Sequence, residues 1–189
     1  MRADIHQEKS IIDTALKEKF RPVRLIVLDV DGVLTNGAIT YAGGDTEIKA
    51  FHVQDGFGIT MARHAGLKFA VLTGRVSDTV ARRVAELEFD YYESGHFYKK
   101  DALIGMIRDA GLENHEVLYM GDDILDLVCR PHVGLFIAPN NALSRVKAEA
   151  DWVTEKSGGS GAVREMINVL LEAQGKLKAS EDYFIGANE

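Results

Sequence analysis

Val23-Arg24-Leu25-Ile26-Val27-Leu28-Asp29-Val30-Asp31-Gly32-Val33-Leu34-Thr35 is the stretch from which the fold can be read. An unbroken aliphatic run ends in two aspartates two residues apart, and a glycine follows. A short apolar run of this kind predicts a strand buried on both faces, central in a parallel sheet. Side chains alternate along a strand, so Asp29 and Asp31 share a face while the chain stays extended, and Gly32 lets it turn away. Two carboxylates at the mouth of a buried strand are costly unless a cation sits between them. Hard oxygen ligands suit magnesium. An Asx turn would need only one aspartate, so it leaves the second without a structural reason.

Outward from this strand the pattern alternates. Upstream, residues 10–20 carry Ile11, Ile12, Ala15, Leu16 and Phe20 at helical spacing, and Pro22 ends the helix. Downstream, two extended pieces at 38–41 and 47–51 flank Gly43-Gly44-Asp45, a hairpin signal. A glycine-punctuated loop, 52–58, leads into a helix over 59–64 closed by Gly66. Further strands are expected at 68–73, 89–92, 116–120, 133–138 and 152–154. Between and after them fall helices at 78–88 behind a Ser77-Asp78 cap, 99–110 with Leu103, Ile104 and Ile107 inward, 124–129, 143–150 and 163–174. A polar tail runs from 175 to 189. Strand and helix in turn predict an α/β fold: a doubly wound, mostly parallel Rossmann-like sheet, helices on both faces, a hairpin after the first strand and no inserted cap domain. The organisation is a helical extension (1–22), one domain (23–175, hairpin 38–51) and a tail (176–189).

Composition narrows the function. With 189 residues, 46% hydrophobic and 27% charged, the chain fits one globular domain with a substantial core. A net charge of −7 with no basic cluster argues against nucleic acid as a partner. The single cysteine, Cys129, allows no intrachain disulfide and no Cys-based zinc cage, and fits a reducing compartment. No span approaches the roughly 18 apolar residues of a membrane helix, and the first residues lack the apolar core of a signal peptide. A cytoplasmic protein without membrane attachment is expected.

Four groups fall at or beyond the carboxyl ends of the expected strands, where open α/β sheets bind ligands. They are Asp29 with Asp31, Thr73-Gly74-Arg75, Lys99-Lys100, and Gly121-Asp122-Asp123 with Asp126 three residues on. Phosphoryl transfer needs such a set. A carboxylate that attacks phosphorus splits one difficult displacement into two. It also repels the phosphate dianion, unless a metal, a lysine and hydroxyl or amide donors offset the charge. A second acid protonates the leaving oxygen and then activates water. By spacing, Lys99 or Lys100 could be the phosphate lysine; either opposes the dipole at a helix start, which favours a partner anion. Asp123 reads equally well as a first-turn helix acid, and Arg83, beside Arg82, reads by itself as a surface residue. A phospho-receiver module shares the acidic cluster, the threonine and the lysine. Against it stand the spacing of Asp29 and Asp31, a Gly-Asp-Asp on the fourth strand and the hairpin.

In this order the four motifs resemble those of the haloacid-dehalogenase-like phosphatases. Lys49-Ala50-Phe51, Asp55-Gly56, Gly58-Ile59, Gly158-Gly159, Gly161 through Glu165 and Ala173-Gln174-Gly175 extend the likeness over 24–177, to the capless 3-deoxy-D-manno-octulosonate (KDO) 8-phosphate phosphatases. The resemblance implies hydrolysis of that sugar phosphate, for lipopolysaccharide precursor synthesis, through an aspartyl-phosphate on Asp29. Asp31 would be general acid and base, and Thr73 and Lys99 would hold the phosphoryl group. Magnesium would be held by Asp29, the Asp31 carbonyl and Asp122, with Asp123 and Asp126 in a layer outside. The sugar would be lined by Asp31, His52, Val53, Gln54, Asp55, Gly56, Thr60, Gly74, Arg75, Arg83 and Lys99. A homotetramer is implied, the hairpin of one subunit capping a neighbour's site. Some relatives carry arginine where this chain has Gln54 and Thr60, and residues 93–98 replace a more usual Gln-Gly form. Arg75 favours the octulosonate over nonulosonate 9-phosphates (KDN or sialic acid), whose phosphatases tend to carry an acidic residue there.

Overall fold

In the computed structural model, which describes residues 13–44 and 46–187, the aliphatic run becomes β1 (Leu25–Leu28), every residue of it buried. The hairpin strands β2 (Thr40–Tyr41) and β3 (Glu47–Ile48) pair antiparallel, Thr40 opposite Ile48 and Tyr41 opposite Glu47. Then come β4 (Lys68–Thr73), β5 (Tyr91–Ser94), β6 (Val117–Met120), β7 (Leu135–Ala138) and β8 (Trp152–Val153). The helices are α1 (Thr14–Phe20), α2 (Val53–His64), α3 (Asp78–Glu86), α4 (Lys100–Ala110), α5 (Ser144–Glu149), α6 (Ala162–Ala173) and α7 (Leu177–Phe184). The main sheet has the order β5-β4-β1-β6-β7-β8, and every pairing in it is parallel. Chain order reverses between β1 and β6, so the ligand crevice of a doubly wound sheet opens there. Among the described residues no domain is inserted between the strands.

Alternation along β1 builds two cores. Ile26 and Leu28 join Phe69, Val71, Leu118 and Met120 beneath Ile59 of α2, Val80 of α3 and Ile167 of α6. Leu25 and Val27 join Leu72, Tyr119 and Phe136 beneath Leu103 of α4 and Val146 of α5. At about 1.5–3 kcal/mol per buried aliphatic side chain, the two faces supply the main stabilisation of the sheet.

Several expectations change. The extended chain ends with Asp29, and residues Val30–Leu34 make one wide turn, closed by the Thr35 N–H donating to the Val30 carbonyl at 3.0 Å. Asp31 therefore does not share a strand face with Asp29; Gly32, at φ +90°, takes the chain off the strand path. Of the expected loop 52–58, residues 53–58 are the first part of α2, and Gly58 packs closely against Arg164 of α6. Strand β5 falls two residues later than predicted. On α4 the inward stripe is Leu103, Met106 and Ile107, while Ile104 is exposed. Residues Ile124–His132 form a 3-10 helix running through Pro131, where a shorter helix was expected. The expected polar tail folds as α7, with Tyr183 stacked on His64 at 3.8 Å and Phe184 edge-on to Phe57 at 5.1 Å. Of the expected first helix, residues 10–12 lie outside the described residues, as does Asp45 of the hairpin turn.

Candidate active site

The parity of β1 sets where its terminal carboxylate goes. Asp29 continues the Leu25-Val27 series, so it points to the face that carries Tyr119, the start of α4 and the 3-10 helix. Its N–H donates to the Met120 carbonyl at 3.0 Å, which brings the residues following β6 alongside. Oxygens of Asp29, Asp122 and Asp126 lie within 4.8 Å of one another. The Lys99 ammonium is 2.9 Å from Asp29 and 2.6 Å from Asp126. Lys100 is exposed, so Lys99 is the lysine of this cluster. Asp126 is wholly buried and also accepts from the Tyr119 hydroxyl at 2.7 Å and from the N–H groups of Asp122 and Asp123 at 2.9 and 3.1 Å. Asp123 caps the 3-10 helix, its own carboxylate accepting from the Ile124 N–H.

Three carboxylates face one ammonium, and the imbalance appears in the proton affinities of Asp29 and Asp122. Burial, then the charge of Asp126, pushes Asp29 up to about 7 against the pull of Lys99. Burial, then Asp29, Asp126 and Asp123, pushes Asp122 up to about 7. Burial alone would lower Lys99, but Asp29 and Asp126 hold its ammonium above the ordinary value. Burial keeps the Tyr119 phenol protonated, as a donor to Asp126 must be. One oxygen of Asp122 is buried without a hydrogen-bond partner. Asp126 is already saturated by four donors, so Asp29 and Asp122 are the pair left to face a cation. All-oxygen donors with two carboxylates fit a divalent ion such as magnesium. Gly32 leaves the room: a Cβ there would lie 2.0 Å from Asp122 Oδ2.

Beside this cluster, Thr73 ends β4 and is buried, its hydroxyl accepting from the Arg75 N–H at 3.4 Å. Asp31 points toward the hairpin, where it accepts a hydrogen bond from Lys49. Arg75 reaches Asp31 Oδ2 only at 4.0 Å and pairs with Glu47 at 2.8 Å.

No family model matches the sequence. The 3-deoxy-D-manno-octulosonate 8-phosphate phosphatase of Haemophilus influenzae is 38% identical over 161 residues, 85% of this chain and 89% of the relative. This chain belongs to the KDO 8-phosphate phosphatase family. Among solved structures, the family member from Moraxella catarrhalis, in complex with magnesium, phosphate and KDO, has a TM-score of 0.86 at 36% identity, covering 93% of this chain and 98% of that one. The cobalt-bound Haemophilus influenzae family member has a TM-score of 0.82 at 38% identity, covering 85% and 94%.

The remaining residues that the family resemblance singles out are placed differently from one another. Val53, Gln54 and Thr60 are exposed on α2, and the Thr60 hydroxyl donates to the Gly56 carbonyl at 3.2 Å. His52 precedes that helix, its Nδ1 buried without a hydrogen bond and 4.0 Å from Asp55 Oδ2. Asp55 is buried, and its carboxylate accepts from the N–H groups of Gly161 and Arg164 at 3.3 and 2.8 Å, so it caps α6. Arg83 lies against Gly56 and over the Phe51 ring at 5.7 Å, and it pairs with Glu86. Among the described residues neither Arg83 nor Thr60 bonds to the acidic cluster. Tyr119 and Asn141 were not singled out from the sequence, and Lys49 enters it only within the Lys49-Ala50-Phe51 motif, with no role of its own. The Asn141 side chain donates to the Gly32 carbonyl at 2.9 Å and accepts from the Gly158 N–H at 2.6 Å, tying the glycine loop to the turn after β1. Only Lys49 carried a signal, since Glu47 and Lys49 stand two apart on a strand and share a side.

Proposed function

We propose that this chain is a magnesium-dependent phosphatase that hydrolyses 3-deoxy-D-manno-octulosonate 8-phosphate to the free sugar acid and phosphate. The observation that carries the reading is Asp29 at the end of β1, 2.9 Å from the Lys99 ammonium and beside the partnerless oxygen of Asp122. An Asp29 oxygen bonds to phosphorus as the bond to the sugar oxygen breaks, and Asp31 gives that oxygen its proton. Asp31 then takes a proton from water, whose oxygen displaces Asp29 and releases phosphate. Lys99 and the Thr73 hydroxyl hold the phosphoryl oxygens throughout. Asp29, Asp122 and the Asp31 carbonyl would hold magnesium, which supplies positive charge against the phosphoryl oxygens when bound. Asp126 fixes Lys99, and Asp123 orders the loop that carries Asp122.

Arg75, with Gly74 beside it, supports a sugar-acid substrate, since a guanidinium suits a carboxylate. The catalytic domain is taken as 23–175. The hairpin exposes Ile39, Tyr41 and Ile48, at 47%, 67% and 49% of their surfaces. Such a patch supports a homotetramer in which each hairpin caps a neighbour's site. A free, buried Cys129 supports a cytoplasmic, reducing location. The test is phosphate release from the sugar phosphate with and without magnesium. Asp29→Asn should abolish it, and turnover at the unaltered rate would refute the reading. Comparing kcat/KM on a nonulosonate 9-phosphate fixes the sugar.

A further inference from the structure

Among the described residues, Lys49 is a buried charge at the edge of the site that this reading leaves unused. Its side chain has no exposed surface and meets two carboxylates: Asp31, to which it donates, and Glu47 at 3.7 Å. A desolvated ammonium is held in place by such partners, because leaving them is costly. Lys49 is also fixed from behind. Glu47 accepts from Arg75 at 2.8 Å, and its carbonyl accepts from the Thr79 hydroxyl at 3.2 Å, so the foot of the hairpin is fastened to the β4–α3 connection and the first turn of α3. Asp31, by contrast, sits on a turn with its side chain 23% exposed, and Lys49 is its one close side-chain partner among the described residues.

We infer that Lys49 is the positioning residue for the general acid and base. Its ammonium engages Oδ1 of Asp31 and leaves Oδ2 to carry the proton, first to the departing sugar oxygen and then from water. Lys49 neither gives nor takes a proton in either step. The inference rests on the proposed phosphatase reading and adds the hairpin's foot to the chemistry of its own subunit.

Leaving-group dependence tests it. An alkoxide must be protonated as it departs, whereas p-nitrophenolate departs without a proton. The parameter kcat/KM reports phosphoryl transfer to Asp29 and excludes the later hydrolysis. Lys49→Met keeps the stem and removes the charge. It should lower kcat/KM on KDO 8-phosphate about 100-fold and on p-nitrophenyl phosphate less than about 3-fold. Lys49→Arg should restore at least about 10-fold of the loss. Equal losses on the two substrates, or none, would overturn the inference. If Lys49→Met does not fold, Lys49→Gln carries the same comparison. Absence of Asp29-dependent hydrolysis by the unaltered chain would instead overturn the phosphatase reading, and this inference with it.

Discussion

At the scale of single residues, the site is held by one carboxylate that faces no solvent. Asp126 takes hydrogen bonds from Lys99, Tyr119 and two backbone N–H groups, so it sets the lysine and the loop of Asp122 together. Removing one member of a buried ion pair costs about 3–5 kcal/mol, because the other is left desolvated. Lys99 keeps Asp29 as a partner, so the low end applies to Asp126→Ala, about 3 kcal/mol in denaturant unfolding. Tyr119→Phe removes one donor and leaves Asp126 with three, and should cost about 1 kcal/mol. A loss for Asp126→Ala no larger than that for Tyr119→Phe would show that the lysine is held elsewhere. Much of this site was legible as residue types: Asp29, Lys99 and Asp122 stand at strand or helix ends, where chain order alone places them. Tyr119 was not, because a tyrosine inside an apolar strand reads as core, and its hydroxyl's role depends on a residue of the next element.

At the scale of elements, the inner strands β1, β4, β6 and β7 could be read because they are buried on both faces and are therefore apolar runs, whereas the edge strands β5 and β8 are only partly buried. The start of α2 could not be read. Gly56 and Gly58 read as breakers, yet both lie inside the helix, and a Cβ at Gly58 would lie 2.8 Å from Arg164 Cδ and 3.5 Å from its Cα, so packing against α6 favours glycine there. Asp55 shows the same limit. Its motif suggested a sugar contact, while its carboxylate caps a helix 106 residues away, whose own N-cap, Gly161, has no side chain to offer. Asp55→Ala should therefore lower stability by about 1–2 kcal/mol while leaving KM for the sugar phosphate little changed. A steep rise in KM at unaltered stability would return Asp55 to the substrate. Residues Leu177–Phe184 were read as tail because their apolar side chains are few; His64, Phe57 and the end of α6 supply the surface that makes them a helix.

At the scale of the whole molecule, charge couples stability to pH and to the cation. The chain carries a net charge of −7, and its site gathers three carboxylates around one ammonium. Asp29 and Asp122 are both raised to about 7, from an unfolded value near 3.8. Between those values the folded chain binds more protons than the unfolded one, so stability falls as pH rises through the window. Above about 7 both carboxylates are ionised and their repulsion is borne in full. A divalent cation bound only by the folded chain removes that repulsion, adding about 2.7 kcal/mol at 100 times its dissociation constant. In a chelator, Tm should therefore drop between pH 5.5 and 8, and saturating magnesium should shrink or reverse the drop. Magnesium binding at pH 6.5 should release protons, seen as a buffer-dependent heat in calorimetry, and its affinity should weaken on acidification. Asp122→Asn removes one titrating group and should flatten the chelator profile. A profile in chelator that rises with pH, with no proton release on adding magnesium, would mean that the two carboxylates are already ionised without a cation between them.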